Sequence, residues 1–245
     1  TRRRTDVLAS PRAGLVLKPR EAISFYGSYS TSALPSAGDQ FSSLDATTET
    51  LAPERFTNHE VGAKWDVHRD IALTVALYRL DRTNTRAADP NVPGRLVQTG
   101  AQRSEGIEAG LTGSLTPRWQ FSATWASQSA RVRRATTSAR AGATVPLVPG
   151  TSVSAWNRFQ LQGRVGIGVG VVHQGETYAA IDNTVTLPAF TRWDGALYLA
   201  LTRDLRLQAN VENVLGTTYF ATAHANNNIL PGAPRTLRLS MTLAP

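Results

Sequence analysis

The chain contains no cysteine among its 245 residues. A disulfide scaffold and a thiolate metal site are therefore excluded, and passage through an oxidising compartment is permitted. Lysine is nearly absent as well. Lys18 and Lys64 are the only two, so the formal net charge of +8 rests on arginine. These arginines are dispersed along the chain and do not cluster with stacking aromatics on one face, which speaks against a nucleic-acid binder. No run approaches the ~18 consecutive apolar residues of a spanning helix, and no segment shows a capped 3.6-residue period. Helical membrane proteins and the βαβ scaffolds of most enzymes are set aside on those grounds. Arg2-Arg3-Arg4 is followed by no apolar stretch and does not read as a signal peptide.

What the chain does have is a period of two. Leu205, Leu207, Ala209 and Val211 alternate with Arg206, Gln208, Asn210 and Glu212; Leu237, Leu239, Met241 and Leu243 alternate with Arg238, Ser240 and Thr242. Such runs form strands with one apolar and one polar face. The contrast is sharp enough for hydrocarbon on one side and water on the other, and about ten such residues suffice to cross a bilayer.

The same pattern recurs from Gly14. Leu15 and Leu17 lead through Lys18-Pro-Arg-Glu21 to Ile23, Phe25 and Tyr29. Further hairpins are expected over 56–66 and 71–82, over 103–115 and 119–128, over 153–161 and 164–173, and over 190–201 and 205–215. Beyond Leu77 the apolar phase passes to Tyr78 and Leu80, which implies a bulge or a strand that has left the apolar layer. Long polar stretches, 31–55, 83–95, 129–150 and 216–234, separate these pairs. Tight turns and long loops thus alternate, as in outer-membrane barrels with short periplasmic turns. A Greek-key sandwich would scatter its loop lengths.

The motifs Leu51-Ala-Pro-Glu54, Asn58-His-Glu-Val-Gly-Ala-Lys-Trp-Asp66, Arg79-Leu-Asp-Arg-Thr-Asn84, Gln102-Arg-Ser-Glu-Gly-Ile-Glu108, Asn210-Val-Glu-Asn-Val-Leu-Gly-Thr-Thr-Tyr219 and Asn226-Asn-Asn-Ile-Leu-Pro-Gly-Ala-Pro-Arg-Thr236 run in one order over nearly the whole chain. Together they resemble the C-terminal half of the TonB-dependent siderophore receptors. The resemblance implies an all-β fold, an antiparallel meander of about eleven strands forming half of a transmembrane β-barrel of about 22 strands. Residues 1–245 would be the C-terminal part of the barrel domain, with the N-terminal plug and its energising box absent. A terminal aromatic is also implied, where this chain reads Leu243-Ala-Pro245.

The implied function is outer-membrane uptake of ferric siderophores, with no chemistry of its own and no cofactor, iron being carried only as the ferric siderophore. The implied partners are the ferric siderophore, a TonB-type inner-membrane complex acting through the missing N-terminal part, and outer-membrane lipid and lipopolysaccharide. A passive porin or adhesin-like barrel is the alternative, and a soluble carbohydrate-binding module a third reading.

His59, His68, His173 and His224 show no ligand spacing, so no metal site is expected. Gly166-Ile-Gly-Val-Gly170 lacks the following helix of a dinucleotide fingerprint and reads as a smooth lumenal wall. Phe25, Tyr29, Trp65, Trp119, Phe121, Trp125 and Trp193 read as an interfacial aromatic girdle. Glu105, Glu108 and Glu212 fall on the polar face with no placeable nucleophile, and no catalytic residue is assigned. The ligand-binding candidates are Arg131, Arg133 and Arg134 in the third long loop, Tyr178 in the fourth, which lies between the strands ending at 173 and beginning at 190, and Tyr219, Phe220 and His224 in the last. Guanidinium and aromatic groups suit the negative charge and flat rings of ferric siderophores. A solvated or lipopolysaccharide-facing role is the plain alternative for each.

Overall fold

The computed structural model describes residues 5–35, 52–88, 91, 96–135 and 139–243. The expectations for Arg2-Arg3-Arg4, for the middle of the long stretches 31–55, 83–95 and 129–150, and for Ala244-Pro245 lie outside the described residues.

Period-two runs become strands throughout. Eleven of them form one antiparallel sheet: β1 (Arg12–Arg20), β2 (Ile23–Leu34), β3 (Glu54–His68), β4 (Ile71–Ala88), β5 (Leu96–Thr116), β6 (Trp119–Arg134), β7 (Thr151–Gln162), β8 (Val165–Gln174), β11 (Phe190–Ala200), β12 (Leu205–Glu212) and β15 (Thr236–Leu243). Each pairs with its neighbour in the chain, apart from two small hairpins inserted in the connections. These are β9 (Thr177–Tyr178) with β10 (Thr186–Leu187), and β13 (Phe220–Ala225) with β14 (Asn228–Pro231). The sheet does not close on itself within this chain.

Ladder register assigns the described side chains to faces. Leu205, Leu207, Ala209 and Val211 oppose Leu243, Met241, Leu239 and Leu237, so the aliphatics of the last two sheet strands share one side. Phe25 follows Ala63 and Val75 on the same side, and Trp193 follows Val171. All seven girdle aromatics lie on this apolar side. Its large side chains are solvent-exposed, Leu239 and Leu243 each at 72%. That is the reverse of a water-soluble sheet and the condition of a lipid-facing one.

Tight turns gather at one end. Glu21-Ala22, Arg69-Asp70, Pro117-Arg118 and Gly163-Arg164 each join a strand pair, and register shifts sit beside all four, between Leu17 and Arg20, Asp66 and His68, Ser114 and Thr116, and Gln160 and Gln162. Pro19 has no amide to donate to the ladder, which accounts for the first of these.

The other end departs from expectation in length. β5 has 21 residues and β4 has 18, well beyond a bilayer crossing. Residues 83–88, expected to open a long loop, are therefore strand. Past Leu77 the β3–β4 ladder continues unbroken, Tyr78 facing Glu60 and Leu80 facing Asn58, and its β4–β5 counterpart shifts only between Thr83 and Arg86. No bulge lies between Leu77 and Leu80, where the phase changes; the strand has left the apolar layer.

The compact core lies at the outer end of the sheet, where the connections pack against β6. Val132, Ala139, Ala143 and Ile181 form one buried cluster; Ala179, Leu187 and Ala223, flanked by Val185 and Ile229, form another. Apart from Val132 of β6, the members of both belong to the layer of outer connections.

Candidate functional site

This outer layer is built on an exposed sheet edge. β7 begins opposite Ser127, leaving the last turns of β6 without a sheet neighbour on that side. The connection after β6 folds back and fills the gap: the Val132 amide donates to Ala143 O (2.8 Å), Gly142 to Val132 O (2.8 Å) and Val145 to Ala130 O (3.0 Å). Backbone groups that would stand open are thereby paired, and Val132 is buried to 1% exposure.

Asn183 ties the next connection to the first. Its side-chain amide donates to Thr144 O (2.9 Å), while its Oδ1 accepts the Thr144 amide (2.7 Å). Its φ of 57° lies in the left-handed region that asparagine tolerates. The last connection joins through Asn226, whose Nδ2 donates to Asp182 Oδ2 (2.8 Å) and Thr184 Oγ1 (3.0 Å). Three loops from three hairpins thus pack as one layer.

Asn213 anchors the last loop to the sheet. It is 1% exposed with φ 56°. Its Nδ2 donates to Thr217 O (2.9 Å) and Ala233 O (3.1 Å), its Oδ1 accepts the Thr217 amide (2.8 Å), and its own amide donates to Asp194 Oδ1 (2.8 Å). Gly216, at φ 68°, completes the reversal. Asp194 also accepts from Arg192 Nη2 (2.9 Å), whose Nη1 donates to the Tyr219 hydroxyl (3.2 Å).

The sequence-expected residues fall into two neighbourhoods. Arg131, Arg133 and Arg134 stand on strand β6, where a loop was expected, because the β5–β6 ladder runs on to Ala101 opposite Arg134. Arg131 shares the outward side with Arg103; its Nη1 donates to Thr144 Oγ1 (2.9 Å) and Gly142 O (3.2 Å). Arg133 and Arg134 are exposed. Tyr178 lies in β9, half-buried, its carbonyl accepting the Leu147 amide (3.0 Å). In the second neighbourhood, Tyr219 stacks on Phe190 with centroids 4.3 Å apart. A Cβ on Gly232 would come within 2.2 Å of its ring, so the tyrosine is clamped on both sides. Phe220 and His224 are exposed on β13.

Glu105 corrects another expectation. Register puts it on the outward side, opposite Arg79 and beyond the apolar zone, whereas Glu108 and Glu212 do face the polar side. Beside it, Asp81 holds Arg103 (2.7 Å) and Arg79 (3.0 Å). Among the described residues no cluster of three or more His, Cys, Asp or Glu side chains could hold a metal.

The polar side of the sheet carries a feature that sequence reasoning missed. Trp156 lies flat on β8: a Cβ on Gly168 or Gly170 would sit 2.5 or 2.3 Å from its ring. The glycine wall was legible, but its occupant was not. The signal was present in the alternation of Ser154, Trp156 and Arg158 on the polar phase. Trp156, Arg192, Asp194, Asn210, Glu212 and Arg238 bound a recess of about 260 Å³. Nearer the tight turns, Arg158 rides over the Tyr198 ring at 4.5 Å and lines, with Arg164 and Arg206, a second recess of about 470 Å³.

Comparison with known proteins places these elements. Residues 1–214 match the family described as "TonB dependent receptor-like, beta-barrel". The chain is 32% identical to the probable TonB-dependent receptor BfrD of Bordetella pertussis, over 98% of this chain and 34% of that protein. Among solved structures, the siderophore receptor PiuA from Acinetobacter baumannii superposes with a TM-score of 0.80 at 27% identity, covering 95% of this chain and 35% of PiuA. The closed form of the ferric-catecholate import receptor Fiu from Escherichia coli K12 gives 0.78 at 27% identity, over 95% and 34%. The chain spans about a third of the length of the curated relatives it matches.

Proposed function

Because the chain belongs to the TonB-dependent receptor β-barrel family and forms part of a bacterial outer-membrane barrel, we propose that the protein takes up ferric siderophores across the outer membrane. The observation that carries this reading is the match, along 95% of the chain, to solved structures named as a siderophore receptor and a ferric-catecholate import receptor. The iron is cargo within its chelate, and the chain supplies no cofactor chemistry. Energy comes from a TonB-type inner-membrane complex acting through a plug domain.

Within this reading the packed outer layer is the receiving surface. Exposed Arg133, Arg134, Phe220 and His224, with half-buried Tyr178, offer charge and aromatic faces to an anionic chelate. Tyr219 and Arg131 hold the layer together through their contacts with Arg192 and with Thr144. The outward arginines Arg79 and Arg103, held by Asp81 beyond the apolar zone, suit the phosphates of outer-leaflet lipopolysaccharide.

The test is growth of iron-starved cells on ferric siderophores with and without the intact gene. Uptake that depends on the gene and collapses with a protonophore is the expected result. Unchanged uptake in the deletion strain would sink the proposal, and energy-independent flux would convert the protein to a passive pore.

A further inference from the structure

The polar side of the sheet carries its net positive charge unevenly. On β1–β6 its carboxylates Glu54, Glu60, Asp66 and Glu108 are matched by Arg12, Lys64, Arg82 and Arg134, leaving no acidic or basic excess among these eight. On β7, β8, β11, β12 and β15 its charged residues are Arg158, Arg192, Arg206 and Arg238 against Asp194 and Glu212, a basic excess. The basic half is also the half with the glycine wall.

Those arginines form a track along the strands. Arg206 pairs in register with Ala200, Arg158 with Gly168 and Arg238 with Asn210, and Arg192 lies eight positions from Ala200 on β11. At about 3.3 Å per residue the track covers roughly 26 Å of strand, most of a hydrocarbon thickness of about 30 Å. Arg158 and Arg206 have no carboxylate partner within ion-pair distance among the described residues, and both are exposed. Between the arginines the wall is kept low. Gly166, Gly168 and Gly170 project no side chain, and Trp156 lies flat on two of them, turning one ring face to the polar side.

We infer that this arginine track, with the flat Trp156 ring and the Arg158–Tyr198 stack, is the side of the lumen along which an anionic, aromatic ferric chelate passes inward. The inference rests on the uptake reading above and adds a route and a charge selectivity to it. Iron(III) held by three catecholates is a trianion with flat rings. A guanidinium keeps its charge at every physiological pH and stacks on aromatic faces, so successive arginines can hand such an anion on without a proton step. The other half, where acids and bases are matched, offers the anion no comparable attraction.

The test uses the intact receptor in cells, with radioactive iron supplied either as a tris-catecholate trianion or as an uncharged tris-hydroxamate. The variants are Arg158→Gln with Arg206→Gln, and the matching double lysine substitution. Surface binding is measured with the membrane de-energised and initial uptake with it energised; heat-dependent gel migration confirms the folded barrel. The track predicts binding of the trianion within about twofold of wild type but energised uptake about tenfold slower, a barrier of about one tenfold step. Uptake of the neutral chelate stays at the wild-type rate, and the lysine pair recovers most of the trianion rate. Wild-type trianion uptake by the folded glutamine variant overturns the inference, as does equal loss of both chelates. A wild-type receptor that binds and imports neither chelate overturns the uptake reading and the route with it.

Discussion

Replacing Asn213 tests how the outer layer is fastened. In Asn213→Ala three side-chain hydrogen bonds vanish, to Thr217 O, from the Thr217 amide and to Ala233 O. Each such bond contributes about 1 kcal/mol net. Alanine must also hold the left-handed backbone at φ 56°, which costs about 1 kcal/mol beyond asparagine. The sum is about 4 kcal/mol. In Asn213→Gly the backbone term disappears and about 3 kcal/mol remains. Native-state hydrogen exchange on the intact receptor reads this locally, at the Thr217 amide. Alanine should accelerate exchange there about a thousandfold and glycine about fivefold less, provided global unfolding does not intervene first. Acceleration below tenfold in both variants would refute the account of Asn213 as the anchor of the last loop.

Three further outcomes follow from named contacts. Gly170→Ala places a Cβ against the Trp156 ring and should cost about 1–3 kcal/mol with a shift in tryptophan emission, while Trp156→Ala in the same background should restore most of the loss. Tyr219→Phe removes only the acceptor of Arg192 Nη1 and should cost about 1 kcal/mol, whereas Tyr219→Ala, which empties the slot between Phe190 and Gly232, should cost about 3 kcal/mol or more in thermal unfolding. Leu239→Arg on the lipid side should destabilise the barrel by about 2–4 kcal/mol in vesicles if it sits near the midplane, and Ser240→Arg on the polar side by far less.

The membrane-crossing parts of the fold were readable because a lipid–water boundary enforces strict alternation. Leu205 to Val211 and Leu237 to Leu243 could have only one pairing of faces, and the structure adopts it. Outside the bilayer that constraint lapses. Ser129 to Arg134 and Thr83 to Ala88 are strand with no apolar phase to announce them, so Arg131, Arg133 and Arg134 read as loop. The hairpins β9–β10 and β13–β14 are too short for periodicity to register. Asn183 and Asn213 were visible only as turn residues; that each ties distant loops is a three-dimensional fact. Trp156 was hidden by its type, since a tryptophan on the polar phase makes sense only once Gly168 and Gly170 are known to lie across the ladder from Arg158 and from Trp156 itself.

The central claim is that one face of this sheet meets lipid and the other the lumen, and the absence of cysteine from the chain makes it directly measurable. Single cysteines placed at positions 236 to 243 of the intact receptor in vesicles, spin-labelled, report collision with dissolved oxygen in the lipid or with a water-soluble nickel complex. The account predicts a strict period of two, with 237, 239, 241 and 243 in contact with oxygen and 236, 238, 240 and 242 with nickel. Equal nickel access at all eight positions, or the opposite phase, would contradict it.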